Sequence, residues 1–153
     1  MYISINGSLL KEKDVCISPM NGGYMYGYGL FETIKVFQGK ALFMEEHIQR
    51  LISGCGEVKL KIDNHLYRIK EYCEVFILAN NIKFGAIKVL YAKNTEDYDL
   101  IISWRKIIYT DERYHKGFRI CFANTKKNPY STLVYVKSNN YLENVLALSL
   151  IHI

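Results

Sequence analysis

The sequence has little that would place it outside the ordinary globular proteins. Only two of its 153 residues are proline, 23% are charged and 50% are apolar, which excludes disordered, collagen-like and mucin-like chains. No apolar run reaches the roughly 18 to 20 residues of a membrane span, and the first residues lack the basic and apolar regions of a secretion signal. We therefore expect a soluble cytoplasmic protein, with no membrane contact, that is long enough to bury its own core.

Metal-binding spacings and blocks of like charge are also missing. The four cysteines, Cys16, Cys55, Cys73 and Cys121, form no CxxC pair, so we predict buried, reduced thiols and no metal site. Lys and Arg number 20 against 15 Asp and Glu, and 13 tyrosines accompany them, but the lysines are spread along the chain. Nucleic-acid binding, which a basic aromatic chain could support, is therefore disfavoured.

Local patterns predict an antiparallel sheet with helices packed together on it. Asn6-Gly7 and Gln38-Gly39 each separate two β-rich stretches, which indicates two hairpins. Apolar residues at helical spacing predict a helix from Glu45 that ends at Gly54 and Gly56. A longer helix capped by Asp63 or Asn64 should end near Asn80, strands are expected at residues 86–93, 99–109 and 117–123, and another helix should start near Ser138. The fold class is thus α+β, a two-layer α/β sandwich.

Taken singly, the candidate functional residues say little about function. The glycine-rich residues 21–29 lack the spacing of a phosphate-binding loop and precede a strand, so they predict a turn. Glu32, Arg50 and Lys137 are by default solvated charges. Composition and spacing alone therefore predict only a globular α+β domain.

Two sequence blocks in a fixed order add a family resemblance. Residues 27–51, GYGLFETIKVFQGKALFMEEHIQRL, and residues 127–147, KNPYSTLVYVKSNNYLENVLA, together resemble the class IV aminotransferases, the fold type IV pyridoxal phosphate (PLP) enzymes. The resemblance covers residues 2–147. It implies an N-terminal α+β domain over 1–125, the D-amino acid aminotransferase-like fold, and an interdomain loop with the start of the PLP domain over 126–147. We expect 148–153 to be a non-native tail and the C-terminal domain to be missing, because relatives continue there with charged and small residues.

The resemblance also assigns the cofactor-binding residues. Lys137 matches the lysine that forms the Schiff base with PLP and then carries the substrate proton. Arg50, in the H-x-x-R-L block, matches the arginine that binds the cofactor phosphate, and Tyr141 matches a residue beside the cofactor ring. The apolar residues 133–136 before Lys137 predict a buried amine, and burial lowers the pKa of a lysine.

Substrate-side residues are implied less directly. Phe31 and Glu32 match the block near the active-site entrance, and Tyr26 and Tyr28 lie beside it. Relatives often carry Asp-Arg-Gly and Gly-Asp-Gly where this chain has Asn-Gly-Gly and Gly-Tyr-Gly. Lys93 is a hypothetical contact for a substrate carboxylate.

Within the family, the sequence favours the branch of 4-amino-4-deoxychorismate lyase, which releases pyruvate and 4-aminobenzoate for folate. D-amino acid aminotransferases usually carry an arginine and a histidine at the positions of residues 93–98, and this chain has neither there. Branched-chain enzymes usually have one more residue between the lysine and the Asn-Tyr pair than this chain has. Both subtypes are therefore disfavoured. Asn128-Pro129 and the Phe31-Glu32-Thr33 strand resemble the lyase branch. An amino acid aminotransferase and a non-catalytic fragment remain alternatives. The family implies a small amino substrate and a homodimer for the full-length form, and we expect the fragment itself to be inactive.

Overall fold

The computed structural model describes residues 1–107, 109 and 111–149. Its centre is a six-stranded antiparallel sheet in the order β2-β1-β6-β5-β3-β4. The strands are β1 Tyr2–Ile5, β2 Ser8–Lys11, β3 Gly29–Phe37, β4 Lys40–Ala41, β5 Phe84–Lys93 and β6 Tyr98–Arg105. The helices are α1 Gly22–Tyr26, α2 Met44–Glu57, α3 Asn64–Tyr67, α4 Ile69–Ala79, α5 Asp111–Lys116 and α6 Leu142–Ser149. The predicted α+β class is confirmed.

Both predicted hairpins form, and their turns explain why. Asn6 and Gly7 have φ of 51° and 85°, and Gln38 and Gly39 have φ of 50° and 77°. Two successive residues with positive φ are the signature of the two-residue turn whose twist matches the flanking strands. The second hairpin is short, because β4 pairs with β3 only at Val36 and Phe37.

Helix α2 continues past the glycines that were expected to end it. A Cβ atom on Gly54 would lie 2.9 Å from Cδ1 of Leu30, so this glycine allows the helix to approach β3 closely. Gly56 has open space around it, and the helix ends at Glu57. The expected boundary was wrong because close packing against the sheet, not a turn, requires the glycine at position 54.

The predicted second helix is divided in two. Asp63 caps α3 by accepting a hydrogen bond from the Leu66 backbone N–H at 3.0 Å. Arg68, with φ of −97° and ψ of 9°, interrupts the helix before α4 begins. The predicted buried face is nonetheless correct, because Leu66, Ile69, Cys73, Phe76 and Ile77 all lie in the core between the helices and the sheet.

The glycine-rich segment folds as a short helix and not as the simple turn that was predicted. Asn21 Oδ1 accepts hydrogen bonds from the backbone N–H of Gly23 at 2.7 Å and of Tyr24 at 3.2 Å. Its Nδ2 donates to the buried Asp99 at 2.9 Å. This long-range anchor fixes the cap and thereby the start of α1.

Several expectations for the last third of the chain were wrong. Residues 117–123 form no strand and are exposed, and the helix α5 that precedes them was not predicted. Strand β6 ends at Arg105, and position 108 of the longer predicted strand lies outside the described residues. Helix α6 starts at Leu142 and not at Ser138, because the residues before it pair with β3.

Two of the four cysteines depart from the prediction of buried thiols. All four are free, but Cys16 and Cys121 are exposed. Burial raises the pKa of the Cys55 thiol to about 11 and that of Cys73 to about 12, so both are uncharged thiols in the core.

The predicted domain division near residue 125 stays a prediction. Of the expected tail 148–153, residues 150–153 lie outside the described residues. No described helix is both long and apolar enough to cross a membrane.

Candidate active site

Lys137 is held against the edge of β3 by backbone hydrogen bonds. The backbone N–H of Phe31 donates to the carbonyl oxygen of Lys137 at 3.0 Å, and the N–H of Asn139 donates to that of Gly29 at 2.9 Å. Leu30 and Ser138 thus form an antiparallel bridge. Because β4 pairs only with the far end of β3, this part of the strand edge is open to residues 137–139.

A glycine in β3 makes the close approach of residues 137–139 possible. A Cβ atom on Gly29 would lie 2.7 Å from Cβ of Ala92 and 2.8 Å from Nδ2 of Asn139. Asn140 ties the same region to the turn after α1, donating to the Gly27 carbonyl oxygen at 3.0 Å. The glycine-rich stretch therefore serves as a docking edge for the lysine segment.

Lys137 and Arg50 line one cavity of about 380 Å³, although they lie 87 positions apart in the sequence. Leu30, Glu32 and Gly54 contribute further walls. Tyr141 stands beside this cavity, with its ring in edge-to-face contact with Phe31 at 5.3 Å between centroids. The structure thus brings together the lysine, the arginine and the tyrosine that the resemblance selects.

The Lys137 amine is partly desolvated and lies over aromatic rings. Its Nζ is 4.3 Å from the centroid of the Phe31 ring and 5.8 Å from that of Tyr141. Burial lowers the pKa of Lys137, the nearby charges of Arg50 and Arg105 lower it further, and Glu32 opposes them. An amine with a lowered pKa is more often neutral near neutral pH and is therefore a better nucleophile.

Glu32, which lines the cavity, binds Arg50, and the sequence did not predict this pairing. Arg50 Nε donates to Glu32 Oε1 and Nη2 donates to Oε2, both at 2.6 Å, and His47 Nδ1 lies 2.8 Å from Oε2. Burial acts to raise the pKa of Glu32, but the hydrogen bonds and charges of Arg50 and His47 outweigh it, so the pKa is lowered. The same bonds raise the pKa of Arg50.

Lys88 lies next to the candidate site, against the ring of Phe31, and the sequence analysis did not predict this. Its Nζ lies 4.5 Å from the Phe31 ring centroid, so two lysines approach the same ring. Burial lowers the pKa of Lys88, and the charges of Arg105 and Lys137 lower it further. Side chains alternate between the two faces of a strand, so the sequence of β5 could have assigned Lys88 to the face away from the helices. Its position beside Phe31, however, depends on the pairing of β5 with β3, which the sequence does not reveal.

Lys93, Tyr28 and Tyr26 were predicted on the substrate side, but none of them lines the cavity around Lys137. Lys93 is five positions from Lys88 in β5 and so faces the opposite side of the sheet, where its Nζ lies 4.8 Å from the Tyr98 ring centroid. The Tyr28 hydroxyl lies 3.1 Å from the carbonyl oxygens of Val58 and Lys59, at the end of α2. Tyr26 is exposed at the end of α1. Lys93 and Tyr28 are therefore occupied away from Lys137.

A larger cavity, of about 720 Å³, lies between the β3–β4 hairpin and α4. It is lined by charged side chains that include Lys70 and Glu45, an exposed ion pair at 2.6 Å. The cavity around Lys137 is smaller, but it alone of the two contains an amine with a lowered pKa beside an arginine and aromatic rings. We therefore place the candidate active site there.

Comparison with known proteins agrees with this geometry. Residues 29–152 match the amino-transferase class IV family, a span that includes the lysine segment, β3 and α2. The chain belongs to the class IV aminotransferase family. Enzymes of this family depend on PLP, and the resemblance seen in the two sequence blocks is confirmed.

Relatives within the family differ in the reaction that they catalyse. The chain is 31% identical over 127 residues to aminodeoxychorismate lyase of Bacillus subtilis, covering 82% of this chain and 40% of the lyase. It is 28% identical over 155 residues to D-alanine aminotransferase of Staphylococcus epidermidis, covering 95% and 54%. The structure superposes on that of 4-amino-4-deoxychorismate lyase from Pseudomonas aeruginosa with a TM-score of 0.78 and 24% identity, covering 96% of this chain and 56% of that one. The chain thus spans about half the length of the proteins that it matches.

Proposed function

We propose that this chain carries the lysine and phosphate side of the active site of a PLP-dependent enzyme. The observation that supports this most strongly is the shared cavity, in which Lys137 and Arg50 are brought together by the pairing of residues 137–139 with β3. The donor set fits the cofactor, because a partly desolvated amine can hold its aldehyde and a guanidinium can donate to its phosphate. Tyr141 would lie beside the cofactor ring.

When bound, PLP supplies an electron sink for the carbanion that forms at the substrate carbon bearing the amine. Lys137 Nζ would hold and move the proton of that carbon, a role that its lowered pKa favours. Phe31 covers the lysine on one side and limits the access of water to Nζ.

For the reaction itself, we propose the conversion of 4-amino-4-deoxychorismate to 4-aminobenzoate and pyruvate. Removal of the ring proton and departure of the enolpyruvyl group as pyruvate leave an aromatic ring, so no oxidant is needed. The substrate carries two carboxylates, and Lys88 beside Lys137 gives this face of the sheet a second half-buried cation to meet one of them. The 31% identity to a lyase of this activity supports the same proposal.

An amino acid aminotransferase is the second candidate. Its support is the likeness to D-alanine aminotransferase, which extends over 95% of this chain. Both reactions begin with the same proton transfer, so the cavity around Lys137 serves either. A non-catalytic role for the chain alone is the third candidate, since it spans about half of its relatives.

The remaining expectations of the family are proposals as well. We propose that the full-length protein is a cytoplasmic homodimer that acts in folate synthesis on a small amino substrate. Sedimentation of the full-length protein tests the dimer directly, and a monomer at micromolar concentration would contradict it.

Measuring both products with the protein of the complete reading frame tests the reaction. We expect pyruvate to form from aminodeoxychorismate faster than a keto acid forms from D-alanine or a branched-chain amino acid. Lys88→Met, which keeps the length of the side chain and removes its charge, should raise KM for aminodeoxychorismate more than it lowers kcat. Lys35→Met, an exposed lysine of β3, is the matched control and should change neither constant.

Robust keto-acid formation from D-alanine without pyruvate from aminodeoxychorismate would reverse the order of the two candidates. Activity for neither substrate, in a protein that binds PLP, would require a different amino substrate.

A further inference from the structure

Glu32 is a charged side chain in a row of apolar ones. Leu30, Ile34 and Val36 share its face of β3 and lie in the core, and Glu32 itself is only 1% exposed. Burying a carboxylate is costly unless it is paired, and an apolar side chain of similar size often serves stability equally well. A role in geometry explains the presence of this carboxylate better than a role in stability.

The carboxylate uses one side of the Arg50 guanidinium and leaves the other side available. Nε and one hydrogen of Nη2 are taken up by the two oxygens of Glu32. Nη2 also lies 3.4 Å from His47 Nδ1, but a nitrogen that donates its proton to Glu32 cannot accept a hydrogen bond, so the second hydrogen of Nη2 and both hydrogens of Nη1 remain. One hydrogen from each Nη forms the end of the fork that binds two oxygens of a phosphate.

His47 holds the carboxylate from the other direction. Its Nδ1 lies 2.8 Å from Oε2, and this nitrogen must carry the proton for the contact to be a hydrogen bond. His47 and Arg50 are three positions apart on α2 and therefore lie on one face of the helix. Glu32 is thus fixed by two donors from α2, and it fixes Arg50 in return.

We propose that Glu32 is a positioning residue that orients Arg50 toward the cofactor phosphate, an inference that rests on the proposed function. The Arg50 side chain is 60% exposed, so without Glu32 it would sample many rotamers on the surface of α2. Fixing an arginine side chain costs conformational entropy, and a guanidinium already held in place loses less of it when the phosphate binds.

Glu32 also carries a negative charge, which weakens phosphate binding and so opposes the benefit of orienting Arg50. Its removal would strengthen the attraction of Arg50 for an anion, but Coulomb interactions at an exposed guanidinium are weakened by solvent. We expect the loss of orientation to exceed this gain. The net change for Glu32→Gln is then about a tenfold loss of phosphate-dependent affinity.

The test compares the dissociation constants of PLP and of pyridoxal, which lacks the phosphate, by equilibrium dialysis. Their ratio isolates the phosphate contact, because any effect of Glu32 on Lys137 acts on both compounds. We expect E32Q to lower the preference for PLP about tenfold while the pyridoxal constant changes by no more than about twofold. Glu46→Gln removes the same charge one helical turn from Arg50 and should leave the ratio unchanged.

A double-mutant cycle shows whether the effect passes through Arg50. R50Q should also lower the preference for PLP, and adding E32Q to it should produce no further loss. If R50Q lowers the ratio and E32Q does not, the positioning role is overturned while the proposed function stands. If R50Q leaves the ratio unchanged, or the wild-type chain binds neither compound, the cofactor assignment fails and the positioning role fails with it.

Two further outcomes are decisive. A tighter PLP complex in E32Q would show that Glu32 competes with the phosphate, which overturns the proposal. If E32Q does not fold, His47→Gln replaces it, because this variant loosens the carboxylate and retains its pair with Arg50. A loss of the PLP preference in H47Q that is smaller than the loss in R50Q supports the positioning role, and an unchanged preference overturns it.

Discussion

Replacing Arg50 with glutamine should destabilise the fold as well as the candidate site, because Glu32 would remain buried and would keep only His47 as a side-chain partner within the described part of the chain. Each hydrogen bond to a charged group contributes about 1.5 to 3 kcal/mol, and Arg50 makes two to Glu32 at 2.6 Å. The arginine side chain is 60% exposed, so solvent screens the pair and water can replace part of it. We expect a loss of about 1 to 3 kcal/mol in the free energy of unfolding at about pH 7.

The pH dependence of this loss identifies its cause. The pKa of Glu32 in the folded state is lowered from the usual 4.5, so its pairing stabilises the fold above that value and the contribution disappears as the pH falls through the lowered pKa. The difference between wild type and R50Q should therefore shrink steadily below about pH 4. Urea unfolding at several pH values, followed by the fluorescence of the single tryptophan, Trp104, measures it.

Arg68 offers a matched control for this experiment. It makes the same two-bond contact with Glu71, at 3.0 and 2.8 Å, but both side chains are exposed. R68Q should therefore change stability much less than R50Q does. Equal losses in the two variants, or a loss in R50Q that does not depend on pH, would refute the explanation by a buried carboxylate.

Other variants test the docking of the lysine segment and the state of its amine. Gly29→Ala should separate residues 137–139 from β3, since its Cβ would lie 2.8 Å from Nδ2 of Asn139, and hydrogen exchange at the Asn139 amide should accelerate; unchanged protection would contradict this. Asn21→Ala removes the cap of α1 and should lower the free energy of unfolding by about 1 to 2 kcal/mol, measured by urea unfolding. Lys137 should react with an amine-directed reagent near neutral pH faster than an exposed lysine does, because its pKa is lowered; equal rates by peptide mass spectrometry would count against this.

Local signals predicted those parts of the fold that local interactions determine. The two hairpin turns require positive φ at adjacent residues, and Asn-Gly and Gln-Gly meet that requirement without help from the rest of the chain. The apolar faces of α2 and α4 were likewise visible in the spacing of their residues.

Alternation and glycine positions gave wrong predictions where the packing neighbour of a segment was missing or unexpected. Phe118, Ile120 and Phe122 alternate as in a strand, but they are exposed and no strand among the described residues pairs with them. Gly54 resembled a helix terminator, and only the position of Leu30 reveals its packing role. Periodicity describes one element and says nothing about its neighbours.

In the candidate site, too, some residues could be predicted from the sequence and others depend on tertiary packing. Lys137, Arg50 and Tyr141 were selected by the family resemblance, and the structure brings them to one region. The role of Glu32 as a partner of Arg50 depends on the packing of α2 against β3, and the place of Lys88 depends on the register between β3 and β5. Neither pairing has a signature in the order of the residues.

The most direct test of the central claim is to find where PLP becomes attached. The wild-type chain and Lys137→Ala are incubated with PLP, reduced with borohydride, digested and analysed by mass spectrometry. We predict that the cofactor is fixed on Lys137 and that the variant carries none at any specific position. Attachment to Lys88 or scattered attachment to surface lysines, equal in the two proteins, would contradict the assignment of this cavity as a PLP site.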